Sequence, residues 1–317
     1  MHAFPTPAGG TAVIDEVNIK TLKDVLPYSI RHANQLFVRP RASYPEPDSS
    51  QVIAHGQSVD LTSRLQPDGR IQWTIPPGNW TIMRFVARNT GQTTRPAPQS
   101  GHGFECNKFD AASYRRHWEN YQKVLLDKVV AKSGPLQPGR GLTTIHLDSW
   151  EMSSQNWTAA FRQEFQSRRG YDPQPFYPTW LGQVVGSREK TERFLWDMRK
   201  TSQELVLANH AGEIKRLANQ QGLLYSNQPY DMNPAGNIDL GSVADIPSCE
   251  FWNDDVDTQY SCIESVSIAH TMGRQLVRAE AFTANSSEAF TKNPANMKNQ
   301  TDWAFAMGIN GIIFHTY

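Results

Sequence analysis

Over residues 50 to 90, hydrophobic and polar positions alternate in short runs that break at Pro67-Asp68-Gly69 and at Pro76-Pro77-Gly78-Asn79. A period of two with turn-forming clusters between the runs predicts antiparallel strands in a small β-rich region. The segment 92–101 contains Pro96, Pro98 and Gly101, has no apolar period and predicts a linker. The expected organisation is therefore a β-rich region and linker over 1–100, followed by a second domain over 101–317.

Beyond residue 100 the period changes. Residues 111–132 place Trp118, Tyr121, Leu125, Val129 and Ala131 on one side of a helix. Leu142 to Leu147 predicts a buried strand, 158–169 a helix closed by Gly170, and 189–221 a long helix stopped by Gly222. Leu223 to Ser226 is the next strand. A helix over 260–272 with Gly273 after it, a strand over Gln275 to Ala279, a helix opened by Pro294 and a strand over Gly311 to Phe314 repeat the pattern. Strands alternating with helices imply a parallel sheet, either doubly wound or a barrel. No GxGxxG or P-loop follows a strand, which disfavours the nucleotide-binding, doubly wound form. The expected fold is an α/β (β/α)8 barrel of the TIM type. Six of its strands are predicted, near residues 103, 144, 224, 246, 277 and 313. An eight-stranded barrel is not complete at that count, so the chain is expected to be incomplete at its C-terminus, with an open edge beside the last strand.

Charge and composition then narrow the partners. Lys plus Arg equals Asp plus Glu, 31 against 31, so no net field draws the chain to nucleic acid or an anionic membrane. Nine Trp, ten Tyr and fourteen Phe suit a carbohydrate, because sugar sites use aromatic rings as flat platforms, although core packing accounts for most such rings. Cys106, Cys249 and Cys262 have neither zinc-site spacing nor disulfide density and are read as buried thiols. No signal peptide or long apolar run is present; export of a longer parent to the periplasm or medium is compatible with that.

In a barrel enzyme the chemistry sits where strands end. Asp148-Ser149-Trp150-Glu151 follows the strand at 144, Glu250-Phe251-Trp252 the strand at 246, and Glu280 the strand at 277. Glycoside cleavage needs one carboxylic acid to protonate the leaving oxygen and a second carboxylate to act on water or on the sugar, and paired strand-end acids supply both. The competing structural reading is that these acids pair with arginines such as Arg84 or Arg278. Asp148, Trp150, Trp252 and His315 are candidate sugar contacts. Glu105, between Gly103 and Lys108, could hold a hard cation such as calcium. The histidines form no HExxH, and His102, His146 and His270 are read as structural. No GxSxG elbow is present.

Asp148-Ser149-Trp150-Glu151, Gln155-Asn156-Trp157-Thr158, Arg168-Arg169-Gly170-Tyr171-Asp172, Cys249-Glu250-Phe251-Trp252, Ala279-Glu280-Ala281-Phe282-Thr283 and Gly308-Ile309-Asn310-Gly311 together resemble the α-L-rhamnosidases of glycoside hydrolase family 106. The resemblance runs from about residue 50 to the end. It implies a (β/α)8 catalytic barrel, an inverting mechanism and a calcium ion near the sugar. It matches Glu151 to the general acid, Glu280 to the base that activates water, and Glu250 to a third essential acid. Phe104-Glu105-Cys106-Asn107-Lys108 departs from the family's Leu-Glu-Cys-Asp-Lys, and Gly311 stands where the family has arginine. A retaining glycosidase and a catalytically silent glycan-binding fragment are the competing functions.

Overall fold

The computed structural model describes the backbone of 2–5 and residues 47–315, apart from 55, 90, 92, 95–96, 138, 150–154, 230–234, 254–258 and 289. These residues fall into two compact units. The first draws on 2–5, 47–89 and Asn156–Thr201. Its strands are short: β1 (His2–Pro5), β2 (Val52–Ile53), β3 (Val59–Asp60), β4 (Trp80–Met83) and β6 (Val184–Val185). β1 pairs antiparallel with β3 and β4, and β2 pairs parallel with β6. The turn signals act as expected: Gln66 N donates to Arg70 O at 2.8 Å, with Gly69 at φ +84° between them. Helix α3 (Phe161–Arg169) ends at Gly170, whose left-handed φ of 78° a side chain would disfavour. Its buried Phe161 and Phe165 pack against Trp157, Tyr171 and Phe194.

The second unit draws on 91–149, Gln155 and 202–315. It contains helices α1 (Ala111–His117) and α2 (Lys123–Ser133), joined by the π-turn Trp118–Gln122. Of the long helix expected over 189–221, this unit holds the end of α4 (Arg188–Val206) from residue 202, a π-turn (Leu207–Ala211) and α5 (Gly212–Gln220). Five parallel strands make the sheet: β5 (Thr144–Leu147), β7 (Leu224–Asn227), β8 (Ile246–Trp252), β9 (Arg278–Thr283) and β10 (Gly311–Phe314). They lie side by side in chain order, without the reversal that marks a doubly wound sheet. Between them run α6 (Asn237–Val243), α7 (Gln259–Met272) and α8 (Pro294–Met307). Asn293 and Asn296 form a capping box ahead of Pro294, which explains why α8 starts there.

The sheet is curled. Neighbouring strands are about 4.8 Å apart, so in a flat sheet β5 and β9 would be separated by about 14 Å. Yet Arg278 Nη1 on β9 donates to Thr144 Oγ1 on β5 at 3.4 Å, and Glu280 on β9 accepts from Gln228, just after β7, at 2.9 Å. Side chains on the inward face therefore meet across intervening strands, as in half of a barrel. Five strands in the described residues, with β5 and β10 at the edges, make a half-barrel and not a closed barrel of eight.

Two sequence expectations are corrected. No strand forms near residue 103: Phe104 is 62% exposed, and Gly103 O is taken by Thr94 N in a loop. Two glycines and no cross-strand partner leave the segment nothing to bury. The strand expected over Gln275 to Ala279 instead runs Arg278–Thr283. Asn310 explains the delay: its side chain accepts from Val277 N and donates to Gln275 O, holding this entry segment outside the ladder. Glu280 thus lies within a strand and not beyond its end, and so does Glu250.

Candidate active site

Alternation along the strands sorts the side chains. Ladder registers set Glu250 beside Glu280, Ser248 beside Arg278, Ser226 beside His146 and beside Ile246, and Ile313 beside Glu280. With a period of two, the inward face carries Thr144 and His146, Ser226 and Gln228, Ser248, Glu250 and Trp252, Arg278 and Glu280. The opposite face carries Cys249, Phe251, Ala279 and Ala281, all fully buried against Cys262, Val266 and Ala269 of α7 and Ala304 of α8.

β9 breaks the alternation once. Phe251 pairs with Ala281, but Trp252 pairs with Thr283, so Phe282 is an extra residue. Its φ is +60°, a left-handed value that costs a bulky residue about 1–3 kcal/mol. Phe282 turns to the core, where its ring meets Phe251 edge-on at 5.1 Å and stacks on Phe314 at 6.0 Å.

Glu280 is held at both carboxylate oxygens. Gln228 Nε2 donates to its Oε2 at 2.9 Å and Thr283 Oγ1 to its Oε1 at 2.7 Å, while His315 Nδ1 lies 3.7 Å from Oε1. The Glu280 side chain is 14% exposed. Glu250, on the adjacent strand, accepts from Trp252 Nε1 at 3.0 Å. Its backbone is bolted to α7, since Ser261 Oγ accepts from Glu250 N at 3.3 Å and donates to Glu250 O at 3.0 Å. His146 contacts Ser226 Oγ at 3.1 Å. Crowding by the protein holds this imidazole below its usual pKa, against the opposing pull of the Asp148 and Glu280 carboxylates.

Of the residues expected from sequence, the structure brings together Glu250, Glu280, Trp252 and His315. Asp148 sits at the exit of β5, exposed, accepting from Ser149 N at 2.9 Å. Glu151 and Trp150 lie outside the described residues. The arginine pairing envisaged for these acids is not what surrounds Glu280: its partners are an amide, a hydroxyl and an imidazole. Gln228 and Thr283 were not singled out as candidates, and His146 was read as structural. Gln228 carries no charge and follows a strand, and Thr283 reaches the inward face only through an irregularity that periodicity does not reveal.

Glu105 stands apart. Lys108 Nζ lies 2.8 Å from its Oε2, and Lys108 is 2% exposed. A buried ammonium needs that carboxylate as counter-charge. Among the described residues no three His, Cys, Asp or Glu side chains gather as a metal site. No described helix is long and apolar enough to cross a membrane.

The chain is 36% identical over 315 residues, 99% of its length, to a Formosa agariphila protein named "Putative beta-glucuronidase". It is similar to the solved structure of a rhamnosidase from Novosphingobium sp. PP1Y, with a TM-score of 0.68 and 27% identity over 84% of this chain. In both cases the chain spans only 26% of the relative. The model of the alpha-L-rhamnosidase family, glycoside hydrolase family 106, matches residues 15–317, and the chain belongs to that family.

Proposed function

We propose that the protein hydrolyses terminal α-L-rhamnosides with Glu280 as the base and Glu151 as the proton donor. The observation that carries this reading is the holding of Glu280. Both of its oxygens accept hydrogen bonds from neutral donors, which suits an ionised carboxylate and hence a base. In the reaction, the Glu280 carboxylate takes a proton from water as the water oxygen bonds to the anomeric carbon. The bond from that carbon to the leaving oxygen breaks, and Glu151 gives that oxygen its proton. The sugar leaves with inverted configuration. Glu250, steadied by the Trp252 indole, orients the sugar beside the base, with Asp148 and His315 as further polar contacts.

A second reading has its own observation. Glu250 and Glu280 sit at the same level of adjacent strands, whose backbones are about 4.8 Å apart. A retaining mechanism uses carboxyls about 5–5.5 Å apart, one of them as nucleophile. The test follows the anomeric proton by NMR during hydrolysis of an α-L-rhamnoside, with a β-D-glucuronide as the competing substrate. First appearance of the inverted sugar from the rhamnoside supports the proposal. First appearance of the retained anomer replaces it with the Glu250–Glu280 pair, and turnover of the glucuronide alone replaces the substrate. Binding of the rhamnoside without turnover supports a silent glycan-binding protein.

A further inference from the structure

The bulge at Phe282 changes which way Thr283 points. In an uninterrupted strand, a residue three positions after Glu280 faces the opposite side of the sheet, about 10 Å further along. Thr283 would then lie among Phe251, Ala281 and the helices. Because Phe282 is inserted without a partner and turns its ring to the core beside Ala281, the alternation resets, and Thr283 pairs with Trp252 on the inward face. Its hydroxyl then lies 2.7 Å from Glu280 Oε1. Gln228 reaches the other oxygen from β7, across β8, at 2.9 Å. Gln228 is 1% and Thr283 4% exposed, so both donors are shielded from bulk solvent.

We propose that Thr283 and Gln228 are positioning residues for Glu280, and that the strained Phe282 insertion is the device that turns Thr283 inward to do this. The two donors grip one carboxylate oxygen each. That fixes both the rotation of the carboxylate and the lone pairs left for the reacting water or sugar. The inference rests on the reading of Glu280 as a catalytic carboxylate, whether base or nucleophile. It adds the claim that a side chain beyond the bulge governs how well that carboxylate works.

The test compares Thr283→Val, Thr283→Ser and Glu280→Gln in the whole protein, with kcat and KM measured separately on an α-L-rhamnoside. Valine matches threonine in shape but cannot donate. Loss of one hydrogen bond to a charged group corresponds to a fall in kcat of about 10-fold or more, with KM nearly constant because the substrate is not touched. Serine restores the donor, and its kcat is expected to return to within about 3-fold of the original, a margin well inside the loss from one charged hydrogen bond. A Thr283→Val enzyme with unchanged kcat beside an inactive Glu280→Gln overturns this inference alone. An active Glu280→Gln overturns the reading beneath it as well. Serine as impaired as valine shows that packing, and not the hydroxyl, matters, and also overturns the proposal. Should Thr283→Val fail to fold, Gln228→Met carries the test through the other donor, with the same expected fall in kcat and the same contrary result.

Discussion

On β9, Ala279 and Ala281 face outward without exposed surface, while Arg278 and Glu280 face inward with polar partners on two other strands. β8 repeats the contrast: Cys249 and Phe251 are sealed against α7 and α8, and Glu250 is half-buried beside the Trp252 indole. The same backbone and the same ladder serve both faces, so one-residue spacing alone separates the part that holds the sheet to its helices from the part that can do chemistry. The comparison teaches that a substitution on β8 or β9 is to be judged by the parity of its position before its chemistry.

The sharpest way to break that comparison is on the outward face. Phe251→Ala removes a fully buried ring packed on Phe282 and Trp303. The expected cost is about 3–5 kcal/mol of stability, read from urea denaturation. A loss below about 1 kcal/mol, small for a buried ring, would show that this face is not the core. One residue earlier, Glu250→Gln should leave the denaturation midpoint nearly unchanged and lower hydrolysis by about 10²-fold or more, as removal of a working carboxylate does. If it destabilises the protein and spares the rate, Glu250 is a structural acid.

Much of this division was legible in the sequence. The run of strands and helices from 144 to 314 is written in apolar periodicity and in Gly170, Gly273 and Pro294, and the acids Glu250 and Glu280 stand out on it. Three things were not legible, each for a physical reason. The loop around Glu105 resembles a strand in its short apolar stretch, but strand formation needs a neighbour, which sequence does not name. The delayed start of β9 comes from the Asn310 side chain, 33 residues away from Val277. The inward turn of Thr283 depends on a left-handed Phe282, a conformation that no local propensity favours in a bulky residue.

The remaining expectations are smaller and lie away from the inward face. His210 is buried, its Nδ1 has no hydrogen-bond partner among the described residues, and burial holds its pKa well below the usual 6.5. The unfolded chain therefore takes up that proton first. Stability from keeping His210 neutral is complete above pH 6.5 and falls as pH drops from there toward the lowered folded value, by about 1.4 kcal/mol per unit. Denaturation midpoints of the protein and of His210→Gln, measured from pH 7.5 to about 5, a range that brackets the usual histidine pKa, should diverge in slope. Parallel curves would mean that His210 is charged in the fold. Asn293→Ala should cost about 1 kcal/mol through the lost cap of α8, with turnover little affected. A larger effect on rate than on stability would tie that helix to the site.

The central claim is that the inward carboxylates of this half-barrel do the chemistry, and Glu280→Gln tests it most directly. Hydrolysis of an α-L-rhamnoside by the whole protein and by this variant should be compared, with near-ultraviolet circular dichroism recorded on both. The account expects superimposable spectra and a rate about 10²–10⁴-fold lower for the variant, the usual loss when a general base is removed. A variant with the native spectrum and a rate within about 2-fold of the original, far inside that range, would contradict it and place the chemistry elsewhere.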